Sequence, residues 1–178
     1  MRYYCAKNCY IKESIIGDFT SIGDNCKIFY SKIGKFCSIS WNVIIGAPNH
    51  LINGLTTHNF PFTTFWGISN DYIIKREETF LGNDVWIGAN VTILSNINIG
   101  NGVIVGANSF VNSNLKPYGI YAGNPAKFIR YRFDNETIEI LEEIKWWDWD
   151  IDEIKKHLKL FRKEKIKADD LLRFLINR

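Results

Sequence analysis

Imidazole is the scarcest reactive side chain in this 178-residue sequence, which has three histidines: His50, His58 and His157. His50 and His58 share one stretch, residues 47–79, with three phenylalanines and Trp66. Imidazole titrates near neutrality, so it can take a proton from a hydroxyl as that oxygen attacks a carbonyl carbon. It also ligates zinc, but an all-histidine zinc site needs three rings. His157 lies among charged residues near the C-terminal end and reads as a surface side chain. Two histidines then remain for one site, which favours proton transfer over metal chemistry. The four cysteines, Cys5, Cys9, Cys26 and Cys37, match no zinc spacing. They are expected as reduced thiols, with a disulfide as the alternative.

Something must hold that stretch in place, and composition allows a packed scaffold. Hydrophobic residues make up 46% of the chain and aromatics 15%, enough for a real core. A net charge of +3 is too weak to argue for a nucleic-acid partner. No apolar run approaches the roughly 20 residues that span a bilayer. The first residues lack the apolar stretch of a signal peptide, so the expected location is the cytoplasm, without membrane insertion.

The scaffold announces itself as a repeat. Leu81, Ile87, Ile93, Ile99, Val105 and Val111 follow one another in steps of six. Glycine follows four of them, at Gly82, Gly88, Gly100 and Gly106. Small or β-branched residues stand four places on, at Val85, Val91, Ile97 and Val103. Ile16, Ile22, Ile28, Ile33, Ile39 and Ile45 continue the pattern, with one step of five between Ile28 and Ile33. A helix would space its apolar residues by about 3.6, and a half-buried strand by 2. Period six predicts an all-β solenoid, a triangular prism whose sides are short strands. Glycine and asparagine should supply the backbone angles of its corners. A β-sandwich is the alternative, but it has no reason to keep one register for so long.

Residues 47–79 interrupt the repeat, and a loop of that length in a compact domain is usually functional. The division expected is a solenoid over residues 1–125 and a helical tail over 126–178. Residues 1–125 hold 16 charged side chains and residues 126–178 hold 25, which marks the change of character. Asp134-Asn135 offers a cap ahead of Ile138, Leu141 and Ile144. Asp150 with Glu153 resembles a capping box, and Leu171, Leu172 and Leu175 suit a further helix. Trp146-Trp147-Asp148-Trp149 is too aromatic for an exposed linker. It reads as packing of tail on solenoid, with ligand contact as the alternative.

Four stretches together resemble hexapeptide-repeat acetyltransferases of the xenobiotic type, the streptogramin and chloramphenicol acetyltransferases, and their relatives that O-acetylate polysaccharide sugars. These are Ile33-Gly34-Lys35-Phe36-Cys37-Ser38-Ile39; Asn49-His50 with Phe60-Pro61-Phe62; Asn83-Asp84-Val85-Trp86-Ile87-Gly88; and Ala122-Gly123-Asn124-Pro125-Ala126-Lys127 with Ile144-Lys145-Trp146-Trp147-Asp148-Trp149. The resemblance runs from about Ile33 onward, while the first 30 residues depart from the antibiotic-modifying members. It implies a left-handed parallel β-helix and a homotrimer with sites between subunits. It also implies acetyl-CoA as co-substrate, and direct acetyl transfer without an acyl-enzyme. The family motif places the general base at His50, leaving His58 as the alternative or an assisting group. It points to Trp86, Gly88, Gly106, Ala107, Gly123, Asn124, Pro125 and Lys127 for the cofactor, with Arg130 a weaker candidate. Bare backbone at Gly88, Gly106 and Ala107 would let its amides pair with the pantetheine chain, with corner geometry as the alternative reading of the glycines. The oxyanion would need a backbone N–H donor.

The acceptor expected from the sequence is a sugar hydroxyl of a polysaccharide or nucleotide-sugar precursor, because the N-terminal region is short and enters the repeat by about Ile16, leaving little room for the longer acceptor-contacting segment that the resemblance implies for antibiotic-modifying members. A chloramphenicol or streptogramin A hydroxyl is the alternative. A noncatalytic or carbonic-anhydrase-like solenoid is a remote one.

Overall fold

The computed structural model describes residues 2–73 and 76–176, so Ile74 and Lys75 of the long loop lie outside the described residues. The chain winds through about six coils of parallel β-solenoid and ends in short helices. The first coil is β1 (Tyr4–Cys5), β2 (Tyr10–Lys12) and β3 (Ile15–Ile16). The second is β4 (Ser21–Ile22), β5 (Lys27–Phe29) and β6 (Ser31–Ile33). The third is β7 (Ser38–Ile39), β8 (Ile44–Ala47) and, after the loop, β9 (Thr79–Leu81). The fourth is β10 (Trp86–Ile87), β11 (Thr92–Leu94) and β12 (Asn98–Ile99). The fifth has β13 (Ile104–Val105) and β14 (Phe110–Val111), and a bridge from Leu115 to Ile99 forms its third side. The last coil opens with β15 (Gly119–Ala122).

Each coil lays one strand on each of three sheets. Face A stacks β1, β4, β7, β10, β13 and β15; face B stacks β2, β5, β8, β11 and β14; face C stacks β3, β6, β9 and β12. Inside, Ile22, Ile28, Ile45, Ile87 and Ile93 are wholly buried. Each such side chain stabilises the prism by roughly 1.5–3 kcal/mol relative to exposure.

The repeat starts earlier than the aliphatic spacing indicates. Tyr4 and Cys5 pair with Ser21 and Ile22, so the first coil is complete from Tyr4 rather than beginning at Ile16. Cys5 and Ile11 occupy the inward track, and the step from Ile11 to Ile16 is five, as it is from Ile28 to Ile33. A thiol where an isoleucine usually stands conceals this coil from a count of aliphatics.

Glycine's role also differs from expectation. At most corners the left-handed residue stands three places after the inward aliphatic, as at Phe19, Asn25, Phe36, Asn42, Asp84, Asn90, Asn96, Gly102 and Asn108, while after Ile28 it is Tyr30 and after Ile45 it is Gly46. The glycine directly after the aliphatic is required for a different reason. A Cβ at Gly34 would lie 2.4 Å from the carbonyl oxygen of Gly82 on the next coil.

Ahead of the helices comes a strand that composition did not suggest, β16 (Lys127–Tyr131), antiparallel to β15. Its residues are all exposed, and an exposed edge strand carries the same charge-rich signature as a solvated helix face. Then follow α1 (Asn135–Ile144), α2 (Ile151–Lys156), α3 (Leu158–Phe161) and α4 (Ala168–Ile176). Asp134 caps α1 by accepting from Thr137 N–H at 2.8 Å, and Asp150 caps α2 by accepting from Glu153 N–H at 2.8 Å. Leu171 is buried and Leu172 is exposed; the side chain of Leu175 lies outside the described residues.

All four cysteines are free. Burial pushes the thiols of Cys26 and Cys37 up from 9.0 to about 11. The folded chain therefore holds protons that the unfolded chain releases above pH 9.0. This contribution is constant below that pH and is lost as pH rises through about 11. Val43 and Val85 occupy the same inward columns as Cys26 and Cys37, so a C26V/C37V variant should pack well. Its melting temperature is expected to fall less steeply over that alkaline window than that of the parent. Equal slopes would refute the assignment.

Candidate active site

The three edges of the prism have different tasks. The edge from face A to face B carries the column of Gly23, Gly88 and Gly106 and an asparagine ladder. The edge from B to C carries the loop. The edge from C to A carries the tail.

The loop leaves at the end of β8 and returns at β9, so it springs from the B–C edge. Its root is tied to the next coil by Asn49, whose amide donates to Ser95 Oγ at 3.1 Å. Its return arm is held by Arg76 stacked on the Tyr30 ring at 4.4 Å, and by Lys32 paired with Glu78 at 2.8 Å. Two 3-10 turns, Phe60–Phe62 and Thr64–Trp66, shape the middle.

The two loop histidines are held in opposite ways. His50 Nδ1 lies 2.6 Å from the Thr57 carbonyl oxygen. A carbonyl only accepts, so Nδ1 carries the proton and the Nε2 lone pair points elsewhere. His58 Nδ1 instead accepts the Phe60 N–H at 3.1 Å, so in the neutral ring the proton is on Nε2. The His58 ring packs on Phe60 and on Trp66, with centroids 5.8 and 5.3 Å away. Neutral His50 thus has the form of a base and neutral His58 that of a donor. His157 is on the tail, bonded to Glu153 at 3.1 Å and packed on Trp149. Among the described residues, no group of three or more His, Cys, Asp or Glu side chains is placed to hold a metal ion.

The cofactor candidates fall on the A–B edge. Gly88 sits against Gly106 and Ala107 of the next coil, and Gly106 against Ala122 beyond it. Gly123, at φ 103°, follows, then the cis Asn124–Pro125 bond and Lys127 at the start of β16. Trp86 is two residues before Gly88, on the outer surface of face A, and is 54% exposed. Arg130 is on β16 and bonds the Tyr131 carbonyl. One expectation is corrected: Gly88 N–H donates to Val105 O and Gly106 N–H to Tyr121 O, both at 2.8 Å. These amides belong to the coil ladder and are not available to a ligand. The missing side chains serve coil stacking.

Sequence reasoning missed several groups. Asn25, Asn42, Asn90 and Asn108 form a ladder of amide hydrogen bonds of 3.0–3.2 Å along the same edge. Their shared position three places after the aliphatic was a usable signal. Ser109 accepts from Gly123 N–H and donates to the Gly106 carbonyl, tying the last turns together. The tail is pinned to the C–A edge by Lys35–Asp148 at 2.8 Å and Arg132–Asp84 at 2.9 Å. Phe36 packs there on Trp146 at 4.8 Å. Burial raises the Asp84 carboxyl above its ordinary value although Arg132 acts in the opposite direction. The tryptophan motif therefore packs tail on solenoid, as expected. A cavity of about 490 Å³ remains between the tail and face A, bordered by Ile104, Ile120 and Phe161. It includes neither loop histidine.

A single prism does not bring all these groups together, because face B separates the loop edge from the glycine edge.

Residues 78–113 match the bacterial transferase hexapeptide (six repeats) family. A probable macrolide acetyltransferase of Lysinibacillus sphaericus is 44% identical over 140 residues, covering 74% of this chain and 77% of the relative. The chain belongs to the hexapeptide-repeat acetyltransferases of the xenobiotic type. A chloramphenicol acetyltransferase of Agrobacterium fabrum is 36% identical, covering 76% of this chain and 68% of the relative. Among solved structures, the N-acyltransferase AntD of Bacillus cereus, in complex with dTDP and 3-hydroxybutyryl-CoA, aligns with a TM-score of 0.57 and 26% identity. That alignment covers 81% of this chain and 79% of AntD. This hexapeptide-repeat acetyltransferase is thus an acyltransferase that uses acetyl-CoA. Among its described residues no helix is long and apolar enough to cross a membrane.

Proposed function

We propose that the chain moves the acetyl group of acetyl-CoA directly onto a hydroxyl of an antibiotic-like small molecule. The bond between His50 and Thr57 is what supports the chemistry. With Nδ1–H held by the carbonyl, Nε2 takes the acceptor's hydroxyl proton while its oxygen adds to the thioester carbon. The tetrahedral intermediate collapses, the carbon–sulfur bond breaks, and the departing thiolate takes the proton back from Nε2. His58 is less suited to that step, since its Nδ1 lone pair is already engaged and its Nε2 carries hydrogen.

The acceptor ranking from the sequence is reversed here. The sugar reading rested on a short N-terminal region with little room for a longer acceptor-contacting segment, an argument that the complete coil from Tyr4 does not weaken but that the named relatives outweigh. The likeness to a probable macrolide acetyltransferase and to chloramphenicol acetyltransferase favours an antibiotic-type acceptor. A sugar hydroxyl stays as the second reading, favoured by the fold shared with AntD, whose complex holds dTDP. Comparing kcat/KM for chloramphenicol, a macrolide, a streptogramin A and a panel of nucleotide-linked sugars separates them. Turnover confined to sugars would reverse the assignment.

The site is completed by a second chain in this reading. The base springs from the B–C edge and the glycine column lies on the A–B edge, so apposed prisms bring one edge of each together. Closing that contact symmetrically gives a ring, and the family resemblance implies that the ring is a homotrimer. Light scattering is expected to give three times the 20.7 kDa chain mass, and a monomer at micromolar concentration would be incompatible with the proposal.

A further inference from the structure

The mechanism leaves His58 without a task, yet its ring is held more firmly than an idle loop residue needs. Its backbone N–H donates to Thr56 Oγ1 at 3.1 Å, and its ring Nδ1 accepts from Phe60 N–H at 3.1 Å. Phe60 and Trp66 pack on the ring, and Trp66 is fixed by its Nε1–H donating to Asn59 Oδ1 at 3.0 Å. Every one of these contacts lies within residues 56–66. Within that knot is the Thr57 carbonyl, the group that holds His50.

We propose that His58 is a positioning residue whose neutral ring holds the turn that aims the Thr57 carbonyl at His50, so that productive His50 requires two unprotonated imidazoles rather than one. The proposal rests on the reading of His50 as the base. A ring nitrogen accepting the N–H two residues on does what an asparagine oxygen does in an Asx-turn. Protonation changes this contact from attraction to repulsion. An imidazolium has hydrogen on both nitrogens, so Nδ1–H and Phe60 N–H would become two donors facing each other. The turn then opens, the Thr57 carbonyl loses its direction, and His50 loses the bond that keeps its proton on Nδ1. Among the described residues, the groups packed on His58 are the Phe60 and Trp66 rings and the Thr56 hydroxyl, and no charged side chain bonds to it. His50, one carbonyl away, is the titratable group coupled to it. On the return arm, Arg76 is engaged with Tyr30 and Tyr72, and Glu78 with Lys32.

Asparagine at this position keeps the acceptor and removes the titration, which makes the idea testable without knowing the acceptor. Nitrogen-15 NMR of histidine-labelled full-length protein reports the tautomer of each ring. In the parent, the share of neutral His50 in the Nδ1–H form is expected to fall as the pH is lowered. In His58→Asn that share should stay constant. The same pH dependence in both proteins would overturn the proposal.

Turnover of whichever panel acceptor is used gives a second readout. The acid limb of log kcat against pH should approach a slope of two in the parent and one in His58→Asn. Each further pH unit then costs about a hundredfold against about tenfold. His58→Ala, which loses the acceptor altogether, should lower kcat by about tenfold or more with the KM for acetyl-CoA unchanged. Near-parent kcat in His58→Ala, or identical slopes, would overturn the proposal while leaving His50 as base. Full activity in His50→Ala would instead remove the reading on which it rests.

Discussion

His50→Ala is expected to lower kcat by on the order of 10²- to 10⁴-fold while the affinity for acetyl-CoA stays close to that of the parent. The asymmetry follows from where the groups sit. His50 is on a loop at the B–C edge, held by the Thr57 carbonyl, and nothing on the A–B glycine edge depends on it for packing. A base acts only as the hydroxyl proton is transferred, so its removal should appear in kcat and leave cofactor binding alone. Calorimetric titration with acetyl-CoA and steady-state kinetics on one preparation separate the two quantities. A variant that keeps more than about a tenth of parental kcat would show that the proton goes elsewhere. Equal loss of acetyl-CoA binding would show that the loop holds the cofactor rather than serving the chemistry.

A large effect on stability is expected from one methyl group. In Gly34→Ala the new Cβ would stand 2.4 Å from Gly82 O, 2.6 Å from Gly82 C and 2.7 Å from Asn83 Oδ1. The first two are backbone atoms of the neighbouring coil, and they can withdraw only if the coils separate. That breaks the ladder bond from Gly34 N–H to Leu81 O and disturbs the Lys35 N–H bond to Asn83. A loss on the order of 3 kcal/mol or more is expected, at the upper end for overpacking. Gly67→Ala is the internal comparison. Gly67 has φ 66° but open space around its would-be Cβ, so only the left-handed backbone penalty of roughly 1–2 kcal/mol applies. Denaturation midpoints at one protein concentration measure both, which also keeps any assembly term constant. A Gly34→Ala midpoint above that of Gly67→Ala would show that the coils yield to each other more readily than their spacing indicates.

Much of this molecule was legible in the spacing of isoleucine and valine. A residue that must point into a narrow prism at each side recurs with the period of the side, so the coils from Ile16 to Leu115 could be traced directly. The caps at Asp134 and Asp150 were legible for a similar reason, since each is a local bond between a side chain and a backbone amide a few residues on. The first coil was not, because Cys5 fits the inward slot without looking like an aliphatic. Nor was β16, because exposed residues obey no burial period.

The sequence by itself determined the repeat, the position of the loop, the two histidines available for proton transfer and the class of reaction they suit. Those features are one-dimensional: they depend on residue type and on the distance along the chain. Only the tertiary structure decided that the glycines after the aliphatics are required by coil contact, and that the Gly88 and Gly106 amides are already engaged. It alone assigned opposite tautomers to His50 and His58, through one carbonyl and one amide. It also placed the His50 loop, the Gly88–Gly106 column and the tail on three different edges. The reason is that a coil returns the chain to the same edge only after three sides, so residues close in sequence diverge around the prism while residues a whole coil apart meet.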